Sequence, residues 1–261
     1  MVNQHDAGRR SPITAIAAAL ALYAGWTFAT WLLEGRIETL LRPEAVADRI
    51  VYAIVANLLI GVVGATAVLR FLVGRRWLER EAAGFARSGP SAVRMIIGLG
   101  LGVAAFLLLG APSLDPIVLT NAFSQVLVVS AAEVVVCWAT VGAAVEAVLR
   151  LRNRAVSLIG AALVASVLFG LYHFAHSAPF NTIGMVALLT AVGLVTSAFF
   201  FIVRDVYATI LFHNFLGMFG VTQALAASGQ LQAFTTLQPA LVVMALATVA
   251  VFALSNWTLL R

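Results

Sequence analysis

The chain contains no lysine and a single cysteine. All 16 basic residues are arginine, set against 11 acidic ones, and only 10% of the 261 positions are charged. Each shortage removes a class of protein. A lone Cys137 forms no internal disulfide and supports no cysteine-based metal cluster. Soluble domains carry roughly 25% charged residues. With 62% hydrophobic residues and a mean hydropathy of +1.01, this chain is not an ordinary soluble domain. The exclusive use of arginine suggests the codon bias of a GC-rich bacterial genome. The net charge of +5 comes mostly from arginines outside the apolar runs. That distribution reads as membrane topology and not as a nucleic-acid surface.

What is present in abundance is apolar sequence. Crossing a hydrocarbon core of ~30 Å takes about 20 residues, and candidate runs fall at 12–33, 50–73, 95–111, 117–149, 155–175, 181–203, 206–228 and 238–260. The expected fold class is therefore all-α, a polytopic transmembrane helix bundle of about eight spans. The first run is basic-flanked like a signal peptide, but it continues through Trp31 to Leu33 without a small-residue cleavage site. It is read as a retained span. With the N-terminus cytoplasmic, the inner loops hold Arg75, Arg76, Arg80, Arg87, Arg94, Arg150, Arg152, Arg154 and Arg204, and Arg261 also falls inside. The outer loops hold only Arg36, Arg42 and Arg49, accompanied by Glu34, Glu38, Glu44 and Asp48. This positive-inside asymmetry expects both termini in the cytoplasm of a bacterial inner (plasma) membrane protein. Segment 34–49 reads as a short amphipathic interfacial helix broken by Pro43. Segment 74–94, with "RRWLEREAAGFAR", reads as a helix lying on the inner membrane surface.

Few ionisable groups lie in or beside the apolar runs. Arg70 is near enough to its span end to snorkel, and Glu146 stands four residues before Arg150, at ion-pair spacing. Glu133 has at least twelve uncharged residues on either side. A carboxylate there is protonated and bonded to a neighbouring helix, or it lines a hydrated cavity, where it suits a general base. His173 and His213 lie on two later spans. One buried Glu and two His on three helices form a minimal set for activating a water, or a Glu-His-His set for a divalent metal such as zinc. His176, one turn after His173 on nearly the same face, either joins this set or, as the preferred expectation, sits at the outer interface just before Pro179.

These residues sit in motifs that resemble the CPBP intramembrane proteases, the type II CAAX prenyl endopeptidases with their abortive-infection and bacteriocin-processing relatives. That family carries E-E-x-x-x-R, F-x-x-x-H and H-x-x-x-N, in order, on separate transmembrane helices. Here "SVLFGLYH" supplies Phe169-x-x-x-His173, and "YATILFHNFLG" supplies His213 with Gly217 in the asparagine slot and Asn214 adjacent. "AAEVVVCWA" aligns Glu133 with the first glutamate, Val134 with the second and Trp138 with the arginine. An alternative register makes Glu133 the second glutamate and Cys137 the arginine. The resemblance covers roughly residues 120–220.

By that resemblance the chain divides into N-terminal spans (1–111), a catalytic core (112–228) and a C-terminal span (229–261). The implied activity is an intramembrane endopeptidase acting on a membrane-associated peptide or protein, with no nucleic-acid partner. Glu133 and His173 would activate the attacking water. His213 would stabilise the oxyanion, with Asn214, Phe169 and Trp138 as auxiliary residues. The resemblance leaves open whether a divalent metal such as zinc is needed, since a Glu/His pair can activate water without one; a metal, if bound, would take Glu133, His173 and His213. The rivals are an inactive membrane scaffold of the same fold, a proton-coupled transporter and a haem-binding bundle. Depth is a test: at 1.5 Å per residue Glu133 lies about 24 Å and His173 about 27 Å from the cytoplasmic span ends, but His213 only about 10 Å. The three meet only if the Arg204-Asp205 turn is recessed into the bundle or the fourth span tilts.

Overall fold

The computed structural model describes residues 4–42, 44–86, 91–150 and 153–260, with residues 4–12 and 260 described by backbone alone. Pro43, Arg87, Arg152 and Arg261, on which parts of the loop reading rest, lie outside the described residues. All regular structure is helical, with no strand among the described residues. The helices are α1 (Gln4–Thr30, continued by one wide turn to Gly35), α2 (Val46–Gly74), α3 (Ala92–Leu108), α4 (Pro116–Leu149), α5 (Arg154–Ala175), α6 (Ile183–Val203), α7 (Val206–Ala227) and α8 (Pro239–Leu260). Seven are long and apolar enough to cross a membrane, and α3 is a shorter apolar helix of 17 residues. This is an integral membrane protein.

Helix starts are set by side chains that accept the free N–H groups of the first turn. Asp115 takes Ile117 N–H and Val118 N–H before Pro116 opens α4. Asn153, Thr182 and Asp205 do the same for α5, α6 and α7. Ser91 caps α3 and moves its start upstream of the apolar run that the sequence outlines.

Helix α4 is the axis of the bundle, with 94% of its most apolar window buried. It contacts α2, α7 and α8, and beyond Glu133 its hydrogen bonding widens over Val134–Gly142. Thr140 satisfies one carbonyl in this stretch by bonding Val135 O at 2.7 Å. Such wide turns rotate side chains out of the regular 100° register and recur at functional positions. Glu133 is the last residue before this one begins.

Two close approaches bring the neighbouring helices in. Gly98 of α3 lies against the Ala208 backbone of α7, where any Cβ would overlap the carbonyl. Gly193 of α6 lies against Phe169 and Ser166 of α5, where a Cβ would sit at 3.0 Å from both. Small residues permit such contacts in lipid, where packing rather than hydrophobicity drives association.

The two loop helices expected from sequence are not formed. Residues 75–86 fold as successive turns that insert Leu78, Ala82, Ala83 and Phe85 into the core, a burial stronger than the surface placement their amphipathic spacing implies. This segment closes one end of the bundle. Gly84 O accepts from Val206 N–H at 3.1 Å, and Arg204 reaches Ala82 O at 2.9 Å and Glu146 at 2.7 Å. The Arg204-Asp205 turn is thereby covered, and Asp205 is buried. Glu146 also pairs with Arg150 at 3.2 Å, the spacing noted in the sequence.

At the opposite end, residues 36–45 are irregular, not an interfacial helix. Their polar groups are tied inward instead. Arg49 is buried and donates to Thr39 O, Gln125 Oε1 and Gln238 Oε1, while Glu34 is buried against Ser177. Both residues read as loop charges in the sequence because nothing local shows that distant amides and carbonyls receive them.

Candidate functional site

A cavity of about 450 Å³ opens among the Gly35-end halves of α4, α5, α6 and α7. Its walls are apolar except for Gln125, Glu133, His173, His176, His213 and Gln223, and its rim reaches the exposed Leu109 and Leu188. Glu133, His173, His176 and His213 gather in this one cavity, each at most 7% exposed.

The hydrogen bonds assign the ring nitrogens. His173 Nδ1 lies 2.8 Å from Phe169 O. A carbonyl only accepts, so Nδ1 carries a proton and Nε2 of the neutral ring presents its lone pair. That lone pair faces Glu133 Oε1 at 3.7 Å. The other oxygen, Glu133 Oε2, lies 3.0 Å from His213 Nε2. A contact this short between two potential acceptors needs a proton between them, so Glu133 and His213 share one. His213 Nδ1 is in turn bonded to Thr196 Oγ1 at 2.9 Å, and Thr196 donates to Val192 O.

Both nitrogens of His213 are therefore engaged. The oxyanion role that the resemblance implies for it meets a ring whose outward proton already bridges to Glu133. Phe169 holds His173 through its carbonyl and lines the cavity beside it, its ring edge-on to both His173 and His213. Trp138 is fully buried beneath the site, 5.3 Å from the His213 ring and 5.1 Å from Phe169, with its indole N–H donated to Ser197 at 2.7 Å.

Two expectations are corrected. Asn214 is not among the cavity-lining residues: one residue beyond His213 turns the side chain 100° around the helix, and its amide reaches toward Phe123 O of α4. Gly217 occupies the cavity wall instead. His176 is buried, not open to solvent at the end of its span. The chain leaves helical geometry after Ala175, and this folds His176 back over His173, with ring centroids 5.1 Å apart and 25° between planes. It is 3% exposed and bonded through Nε2 to Tyr52 OH at 3.2 Å.

Sequence reasoning missed Thr196, Tyr52 and Tyr172. The available signal was polar atoms inside apolar runs, "LVTSAFFF" for Thr196 and Ser197. Among the described residues, no group of three His, Cys, Asp or Glu is arranged to hold a metal. No family model, curated protein or solved structure matches this chain.

Proposed function

We propose that this protein is an intramembrane endopeptidase related to the CPBP proteases. The observation that carries the reading is the pair of unshared acceptors, Glu133 Oε1 and His173 Nε2, facing each other at 3.7 Å inside an apolar cavity. A water seated against both would donate one hydrogen to each, leaving an oxygen lone pair directed at a bound carbonyl. Attack forms the C–O bond of a tetrahedral intermediate as Glu133 accepts the water proton. Collapse breaks the C–N bond as that proton passes to the leaving amine, giving a carboxylic acid and an amine. His213 holds the carboxylate in orientation, in turn fixed by Thr196. Apolar walls suit a substrate that arrives from the bilayer, and the arginine asymmetry supports cytoplasmic termini.

A second reading has its own observation. The slots for the family's second glutamate, arginine and asparagine hold Val134, Trp138 and Gly217, and Trp138 fills its space completely. This favours an inactive membrane-embedded binding protein of the same fold. One experiment separates the two. Detergent-purified wild type and Glu133→Gln are incubated with a library of hydrophobic peptides, with and without chelator, and products are read by mass spectrometry. New amine termini made by wild type and not by Glu133→Gln support the hydrolase. Peptide retention without cleavage supports the binding protein.

A further inference from the structure

We infer that Gly220 determines substrate selectivity: its bare backbone opens a subsite for one bulky apolar side chain, the size of leucine or phenylalanine, on an extended peptide. The inference rests on the hydrolase reading and names what that site selects.

Hydrogen bonds fix the register of the cavity floor. His213 of α7 bonds Thr196 of α6 and Glu133 of α4, so these three residues lie at one depth. Seven residues make about two helical turns, which returns to nearly the same face about 10 Å away. Counting seven from each residue, away from the Arg204-Asp205 turn, gives Gly220, Leu189 and Val126. All three line the cavity. They bound it beyond the acceptors, and on α7 that wall has no side chain. Gln125 is near this level too, but its amide is engaged by Arg49 and by Leu40 O. What this part of the cavity reads is therefore size and not charge.

Packing within the protein does not account for the glycine. Inside a helix, glycine is unfavourable relative to alanine. At Gly98, Gly193 and Gly217 a Cβ would press on a neighbour, in the last case Val126 at 2.7 Å. At Gly220 a Cβ would meet nothing within 4 Å. Gly25, Gly100 and Gly184 have as much room, but they are exposed and line no part of this cavity. Gly220 is half-buried, and the room beside it belongs to the cavity. The floor itself points to an occupant. Glu133 Oε1 and His173 Nε2 belong to side chains buried in the same cavity, and neither accepts from a donor among the described residues. An extended chain advances ~3.3–3.6 Å per residue, so a side chain at Gly220 stands about three residues from the bond held at the floor.

The test uses full-length protein in detergent and the library peptide cleaved in a Glu133-dependent manner. It is resynthesised with alanine or phenylalanine about three residues to either side of the cleaved bond. Wild type should favour phenylalanine at one of these positions by ~10–200-fold in kcat/KM, the discrimination a hydrophobic pocket provides. Gly220→Leu fills the space and should remove that preference through KM. It should cleave the alanine peptide as wild type does, because Glu133, His173 and His213 are untouched. Gly220→Ala should be intermediate, and Gly100→Leu, exposed on α3, should match wild type. No preference in wild type, or a preference retained in Gly220→Leu, overturns the inference. So does equal loss on both peptides in Gly220→Ala when its thermal unfolding matches wild type. Binding separates this inference from the hydrolase reading. Fluorescence anisotropy of the labelled phenylalanine peptide should show an affinity for Glu133→Gln that is lost when Gly220→Leu is added, and equal affinities overturn the subsite. Absence of Glu133-dependent cleavage in wild type instead removes the hydrolase reading, and the same pair of proteins then tests the subsite on a retained library peptide.

Discussion

His173 Nε2 and Glu133 Oε1 stand 3.7 Å apart with neither bonded to a donor among the described residues, while the remaining polar atom of each side chain is tied down, by Phe169 O and His213 Nε2. The free acceptors are thus held in place by fully engaged atoms. Replacing either group should remove water activation while sparing the fold. Glu133→Gln and His173→Gln are expected to lower cleavage ~10²–10⁴-fold, the usual contribution of a general base. Thermal unfolding in detergent, run on the same samples, should shift little for Glu133→Gln, whose amide still bonds His213.

Thr196→Val tests the support of His213. The substitution conserves shape and removes the hydroxyl that engages Nδ1. Loss of this buried hydrogen bond is expected to cost about 1 kcal/mol of stability. It should also lower kcat without raising KM, because the carboxylate it steadies is not a binding group. Steady-state kinetics over a range of peptide concentrations separates the two constants.

Trp138 is a packing residue by this structure, despite standing at a motif position. Trp138→Ala should destabilise the protein by about 3–5 kcal/mol, the range for emptying a large aromatic site in a core. Trp138→Phe should cost less, since the ring volume is mostly kept and chiefly the Ser197 bond is lost. Unfolding in a denaturing detergent titration would rank the variants. Equal stability of Trp138→Ala and wild type would contradict this packing.

Glu34 holds the segment that carries His176. Its two oxygens accept from Ser177 N–H at 2.8 Å and from the Ser177 hydroxyl. Glu34→Ala leaves both donors buried and unpaired, at ~1–3 kcal/mol for each. Hydrogen exchange should rise over residues 176–182 before it rises elsewhere. Unchanged protection there would show that the clamp has no mechanical role.

Topology is checked with single cysteines in a Cys137→Ser background. Arg75→Cys, at the exposed end of α2, should react with a membrane-impermeant thiol reagent only after the cells are opened. Gln230→Cys, exposed between α7 and α8 at the other end, should react in intact cells. The reverse pattern would invert the arginine reading.

Apolar run length determined the helical class and the approximate position of every span, because a helix is the only open-chain structure that satisfies its own backbone in lipid. Spacing between polar intruders also singled out Glu133, His173 and His213, since a charge or imidazole amid apolar residues stands out in any window. What the sequence left undecided was everything set by contacts between distant segments. Residues 75–86 read as a surface helix, yet Leu78 and Phe85 are buried and Gly84 caps α7. Glu34 and Arg49 read as loop charges, yet each is buried by partners as far as 143 and 189 residues away in the chain. His176 read as interfacial because it stands near the end of its span, just before Pro179. The departure from helical geometry after Ala175 turns it inward instead, against Tyr52 and His173. A local pattern reports which face of one helix is apolar. Which atoms complete a hydrogen bond across helices depends on rotation, depth and wide turns that only the packed bundle sets.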